Sequence, residues 1–411
     1  MRTQTLAGAV VAALVLAGGS ACGSKGDAGG GSDTGNGKLI LGASLSLTGS
    51  LAKEGALTKE GYQLCQDVVN GKGGVPVGGK KLNLEIQYQD DTSKPDTAGQ
   101  LVDQFNDKGI KLILGPYGSA TTEAAAAVIE RNGQVMADAA GADDKIFQKG
   151  YRRTFAVLSP ANQYAASMIQ AIYDLAQPRP TTIAFVSADD GFSKTVTKAG
   201  VKKATDMGLT VVGEEYVPNG ATDVSSALTK IKPKNPDVII GSVHLAEGVA
   251  IVKQAKELGV VPKIFAETVA PPTPDFAQSL GAAAEGVLGS TQWTDKTAGS
   301  DKWFGSAKDY AATFAKMFNG REAEYHNAEA TAACLALALA AEKAGSTDPN
   351  KVRDALAALD EQSFFGPLKF NDVGQNVTKK MGVIQIQGGK PVPVWPTDSA
   401  GAQMKYPCAA A

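Results

Sequence analysis

From Lys38 onward, short β-branched runs alternate with longer stretches whose apolar residues recur every three or four positions. The short runs predict strands at 39–45, 82–89, 111–114, 134–137, 182–187, 209–216, 238–241 and 263–267. The longer stretches predict helices at 52–70, 96–108, 120–132, 163–176, 194–207, 224–231 and 247–258. Short Gly, Pro and Asn turns separate them, and strand–helix alternation of this kind builds parallel sheets from βαβ units. The alternation runs twice, with a break near 152–159, and each run suffices for a doubly wound lobe. Helices at 303–318, 324–344 and 350–359 follow, then strands at 381–387 and 390–394. This tail is too short for a third domain and is read as completing both lobes, the chain crossing between them several times.

Length supports two lobes, because 411 residues exceed what one hydrophobic core fills, about 250–300 residues. The balance of 40 Lys+Arg against 42 Asp+Glu argues against a nucleic-acid surface. Only two histidines, His244 and His326, leave little for imidazole or metal chemistry. No cofactor or metal is expected. Residue Arg2 precedes an apolar run at 6–17, too short to span a bilayer and proportioned like a secretory core. The run ends in Leu16-Ala17-Gly18-Gly19-Ser20-Ala21-Cys22, and small residues before a cysteine resemble the lipobox of bacterial lipoproteins. Residues 1–21 are therefore expected to be a signal peptide, and 22–37 a Gly-rich leash from a lipid on Cys22, with plain secretion as the alternative. Outside the cytoplasm disulfides persist. Three further cysteines remain, Cys65, Cys334 and Cys408. The first two fall in apolar-patterned helices, either bonded to each other or buried as thiols.

Few motifs carry chemistry. The segment Gly74-Val75-Pro76-Val77-Gly78-Gly79-Lys80-Lys81 nearly matches a P-loop but lacks the Ser/Thr and precedes a strand, so it is read as an αβ turn. Gly115-Pro116-Tyr117-Gly118-Ser119 ends a strand and opens a helix, with Ser119 at the expected cap, where helix N–H groups favour a carboxylate. Asp138-Ala139-Ala140-Gly141-Ala142 closes the next strand at the same carboxyl edge, where open α/β sheets bind ligands. The pair Asp90-Asp91 has no nucleophile beside it and is read as a solvated turn capping a helix. No Gly-x-Ser-x-Gly elbow occurs, which speaks against a hydrolase. His244 with Glu247 falls short of the three or four ligands zinc needs. Tyr117, Phe192 and Trp293 lie beside strand ends and are candidate cleft walls.

Taken together, several segments resemble the solute-binding proteins of branched-chain amino-acid ABC transporters. They are Leu45-Ser46-Leu47-Thr48-Gly49, Asn70-Gly71-Lys72-Gly73-Gly74-Val75, Tyr88-Gln89-Asp90-Asp91, Gly115-Pro116, Ala188-Asp189-Asp190-Gly191-Phe192 and Gln254-Ala255-Lys256-Glu257-Leu258-Gly259. The resemblance spans Lys38 to about Tyr406. It implies a Venus flytrap of the periplasmic binding protein type I, two Rossmann-like α/β lobes joined by three crossovers. The implied division is 38–156 with about 288–365 in one lobe, and 157–287 with about 366–411 in the other. It also implies that Ser119 holds a ligand carboxylate with the Ala140 N–H, that Phe192 walls the pocket, and that Glu54 lies at the cleft mouth. Glu267 matches the acid that pairs a ligand ammonium.

Departures from the family pattern bear on the ligand. Ala142 replaces a usual Thr, Asp138 a common Ser, and His244 a frequent tyrosine. With Tyr117, Phe192 and Trp293 available, amides or aromatic carboxylates join branched-chain amino acids as candidates. The expected protein is a monomeric, non-enzymatic, lipid-anchored component outside the cytoplasm that delivers a small molecule to an ABC permease. The alternative is a ligand-sensing receptor module of the same fold, disfavoured because no predicted segment carries a signal inward.

Overall fold

The computed structural model of the chain describes residues 37–407. Its first run comprises β1 Lys38–Leu45, α1 Ala52–Gly71, β2 Val75–Val77, β3 Lys80–Asp90, α2 Pro95–Asp107, β4 Leu112–Leu114, α3 Ser119–Asn132, β5 Val135–Asp138, α4 Asp144–Phe147 and β6 Thr154–Ala156. The second comprises α5 Tyr164–Leu175, β7 Thr182–Ala188, α6 Gly191–Asp206, β8 Thr210–Val217, α7 Ser225–Ile231, β9 Val238–Ser242, α8 Leu245–Leu258, β10 Ile264–Glu267, α9 Pro274–Leu280 and β11 Leu288–Thr291. The tail adds the small strands β12 Ser300–Asp301 and β13 Gly305–Ser306, then α10 Ala307–Met317, α11 Tyr325–Ala344 and α12 Pro349–Ala357. A hairpin, β14 Asp360–Ser363 and β15 Gly366–Lys369, precedes β16 Gly382–Gln387 and β17 Lys390–Trp395.

These elements form two main sheets, ordered β2-β3-β1-β4-β5-β6 and β17-β16-β11-β10-β9-β7-β8. Pairing is parallel except at β2 and at β16–β17. The central strands are apolar on both faces, as a sheet covered by helices on both sides requires; Val-Ile-Ile of β9 is wholly buried. Two corrections follow. The Gly74–Lys81 segment is a hairpin, not an αβ turn: Gly78 and Gly79 have φ of 56° and 81°, which matches the twist of a two-residue hairpin. The chain also crosses later than the pattern implied. β11 pairs with β10 in the second sheet, and β15 stays with β14 beside the first lobe's core, so the returns fall near 292 and 371–381.

All three crossings meet at Ser159. Its N–H donates to Gln292 Oε1 (3.0 Å), and its hydroxyl donates to the Lys379 carbonyl (2.9 Å). One buried serine therefore joins all three strands of the hinge.

Helix α11 is buried on nearly every face, as an Ala- and Leu-rich helix without a polar stripe should be. It lies against α1 so closely that a Cβ on Gly61 would fall 2.2 Å from the Asn327 carbonyl oxygen. Only glycine permits that approach. Thr331 donates its hydroxyl to the Gly61 carbonyl (2.8 Å), and a Cys65–Cys334 disulfide joins the two helices. Cys22 and Cys408 lie outside the described residues.

Candidate functional site

Strands β4 and β5 of the first sheet, and β7, β9 and β10 of the second, end at one small cleft. The first lobe contributes Tyr117, Gly118, Ser119, Ala140 and Ala142, and the second Phe192, His244 and Val269. Seven residues expected from sequence therefore meet in one place, although they come from two sheets.

Ser119 is not the cap of α3. Gly118 holds that position at φ 92°, and Ser119 begins the helix. Its Oγ accepts the Asp143 N–H (3.1 Å), which leaves the hydroxyl proton free to donate into the cleft. The first-turn N–H groups of α3 have no partner within the helix and add to a setting that favours an anion. The Ala140 N–H does not serve a ligand, because Asp138 Oδ1 already accepts it (3.1 Å) together with that of Gly141 (2.9 Å). Burial pushes the Asp138 carboxyl up to about 6, against those two hydrogen bonds.

His244 precedes α8 and is 9 % exposed. Its Nε2 lies 3.6 Å from Asp190 Oδ2, while its buried Nδ1 has no hydrogen-bond partner. Burial works against the imidazolium, but Asp190, then Glu247 and Glu54, outweigh it and raise its pKa to about 9. Asp190 is held in place by capping α6, accepting the Ser193 N–H (2.8 Å) and hydroxyl (3.0 Å). Phe192 packs edge-on against Tyr164, centroids 5.1 Å apart, and tilts toward His244 at 5.6 Å.

Three expected site residues lie elsewhere. Trp293 follows the second crossing into the first lobe's core, donating Nε1–H to the Phe364 carbonyl (3.0 Å) and packing edge-on against Tyr310. Glu267 ends β10 with its carboxylate under α8, where a Cβ on Gly248 would lie 2.5 Å from Oε2. Both its oxygens are buried without partners, and burial, then Glu247, holds its pKa well above the usual range. Glu54 is buried rather than at an open mouth, and its Oε1 accepts the Leu245 N–H (3.2 Å) across the lobes. The pair Asp90-Asp91 is likewise no solvated cap. Asp90 accepts the N–H groups of Leu47, Thr48 and Thr92, and buried Asp91 accepts the hydroxyls of Ser44 and Ser46, fixing the loop after β1.

Sequence reasoning missed Leu158, Tyr164 and the floor of the cleft, where α11 presents Tyr325, His326 and Glu329. His326 Nδ1 lies 2.7 Å from Glu324 Oε2, and its Nε2 lies 3.3 Å from the Tyr117 hydroxyl. The available signal was three polar or aromatic residues at the start of an otherwise Ala-rich buried helix. Among the described residues no His/Cys/Asp/Glu group is arranged to hold a metal ion.

A family profile described as periplasmic binding protein matches residues 39–390. The chain is 24 % identical over 361 residues to Leu/Ile/Val-binding protein homolog 8 of Brucella abortus, covering 84 % of this chain and 87 % of that one. Its fold is similar to a branched-chain amino acid transporter substrate-binding protein of Streptococcus pneumoniae in complex with isoleucine. The TM-score is 0.75 at 22 % identity, over 86 % of this chain and 97 % of that one. It is also similar to a solute-binding protein of an ABC transporter from R. palustris in complex with benzoate. There the TM-score is 0.73 at 17 % identity, over 91 % and 98 % of the two chains.

Proposed function

Since the chain belongs to the periplasmic binding protein family, we propose that it captures a small carboxylate between its lobes outside the cytoplasm and hands it to an ABC permease. The observation that carries this reading is the cleft itself. A free serine hydroxyl, a helix N-terminus and an imidazolium converge from two lobes on one small space. A ligand touching both lobes binds the closed form better, and that difference drives closure. Nothing in the lining pairs a nucleophile with a base aimed at a substrate, so the reading is of binding without turnover. The aromatic lining of Tyr117, Tyr164, Phe192 and Tyr325 favours a flat or branched apolar ligand body. Similarity to one protein holding isoleucine and another holding benzoate supports both chemistries.

The test is a thermal-shift panel of leucine, isoleucine, valine, benzoate, 3,4-dihydroxybenzoate, acetamide and urea. A true ligand at 100 times its Kd stabilises the protein by about 2.7 kcal/mol. Ser119→Ala is expected to weaken that ligand about tenfold, the worth of one charged hydrogen bond. If no carboxylate moves the melting temperature, or if Ser119→Ala leaves affinity unchanged, the assignment of this cleft is lost.

The location follows the N-terminal pattern together with the family. We infer a lipid on Cys22, holding the lobes at the outer membrane face by the leash. Labelled palmitate should enter the wild-type protein and not Cys22→Ala, which should be released in soluble form. Equal labelling of the two would refute the anchor.

A further inference from the structure

We propose that Glu329 is the acidic end of the cleft, receiving an amine carried by the same ligand whose carboxylate meets Ser119 and His244. The inference rests on the small-carboxylate reading and narrows it to an amino-carboxylate. It also moves the acidic role from β10 of the second lobe to α11 of the first.

The geometry supports this in three steps. Glu329 lines the cleft, is 2 % exposed, and its Oε2 is buried without a hydrogen-bond partner. An unpaired buried carboxyl oxygen is costly unless something else satisfies it. Next, Glu267 is absent from the lining and tucked against Gly248, so it cannot play that part in this arrangement. Last, the floor around it is polar: Glu324 Oε2 lies 2.7 Å from His326 Nδ1, and His326 Nε2 lies 3.3 Å from the Tyr117 hydroxyl oxygen. This floor faces the Ser119 hydroxyl and His244 at the rim of the cleft.

The charges around Glu329 agree. Glu324 lies on its own helix, Asp138 on β5, and the phenols of Tyr117, Tyr164 and Tyr325 border the same space. Lys379, on the third crossing, is the opposing charge acting on it, and His326 lies one turn earlier on the same helix with His244 across the cleft. Lys379 forms no ion pair with Glu329, and burial brings its own amine down to about 7. Burial first, then Glu324 and Asp138, hold the Glu329 pKa well above the usual range.

Two ligand pairs test this by calorimetry on the full chain: leucine with 4-methylpentanoate, and 4-(aminomethyl)benzoate with 4-methylbenzoate. Whichever pair binds, Glu329→Gln is expected to weaken the amino member at least tenfold and the other member less than threefold. Glu267→Gln should change neither more than threefold. The proposal is overturned if Glu267→Gln discriminates within a pair and Glu329→Gln does not. It is equally overturned if wild type binds both members alike, an outcome that leaves the carboxylate reading standing. If wild type binds none of the four, the carboxylate reading itself fails and Glu329 with it.

Discussion

Replacing Cys65 and Cys334 together by alanine is expected to lower stability by about 2–5 kcal/mol, the range for losing a native disulfide. The bond spans 269 positions of sequence, so its removal frees a very long loop in the unfolded chain. It also joins two fully buried sites on α1 and α11, and truncation leaves a small void beside each. The helices themselves should stay together, because Gly61 brings the backbones into contact and Thr331 and Asn327 bond α1 carbonyls. Ligand affinity is therefore expected to change less than threefold while the urea midpoint falls, and chemical reduction of wild type should lower the midpoint similarly. A difference below about 1 kcal/mol would show that the bond adds little to the helix packing.

Affinity for benzoate or 4-methylpentanoate is expected to fall as pH rises through about 9, where the His244 imidazolium loses its proton. Neither probe carries an amine, so the profile reports the protein. The groups facing His244 are Asp190 at the start of α6, Glu247 on α8, Glu54 on α1 and the Tyr117 ring. Asp190 is held below the usual carboxylate range, chiefly by His244 against the opposing effect of burial. Both partners therefore stay charged across the neutral range. His244→Gln should flatten the profile and weaken binding about 10–100-fold at pH 7, the worth of a charge-assisted hydrogen bond. Folding stability follows the same sign. With the folded pKa raised from 6.5 to about 9, the contribution is full below pH 6.5 and is lost as pH rises through about 9. Calorimetry from pH 6 to 10 at constant ionic strength checks the binding. An identical slope in His244→Gln would remove His244 from the site.

The alternation of short β-branched runs with stretches of helical period foretold nearly every long element, since each depends on contacts within its own segment. Helix α8 and strand β9 were legible this way, as was the placing of Ser119 and His244 at strand ends. Two short strands escaped because β6, Thr-Phe-Ala, and β11, Leu-Gly-Ser-Thr, form no apolar β-branched run of the kind that marks β4 or β10. With β11 unread, the expected crossing fell near 288 rather than 292. Glu267 was found at the right strand end, but whether its side chain faces the ligand depends on α8, whose Gly248 leaves room for it to turn away. Glu329 gave no periodic signal, because a helix buried all round has no polar face to mark the side toward a cavity.

What the sequence determined by itself was the two-lobed α/β plan and the set of loops from which a site had to come. Tertiary structure alone decided which side chains meet. Tyr117 touches His326 across 209 positions of chain, and Glu54 reaches Leu245 across 191. Such meetings depend on how three crossings align two sheets, a geometry set by packing between segments and invisible to any pattern within one.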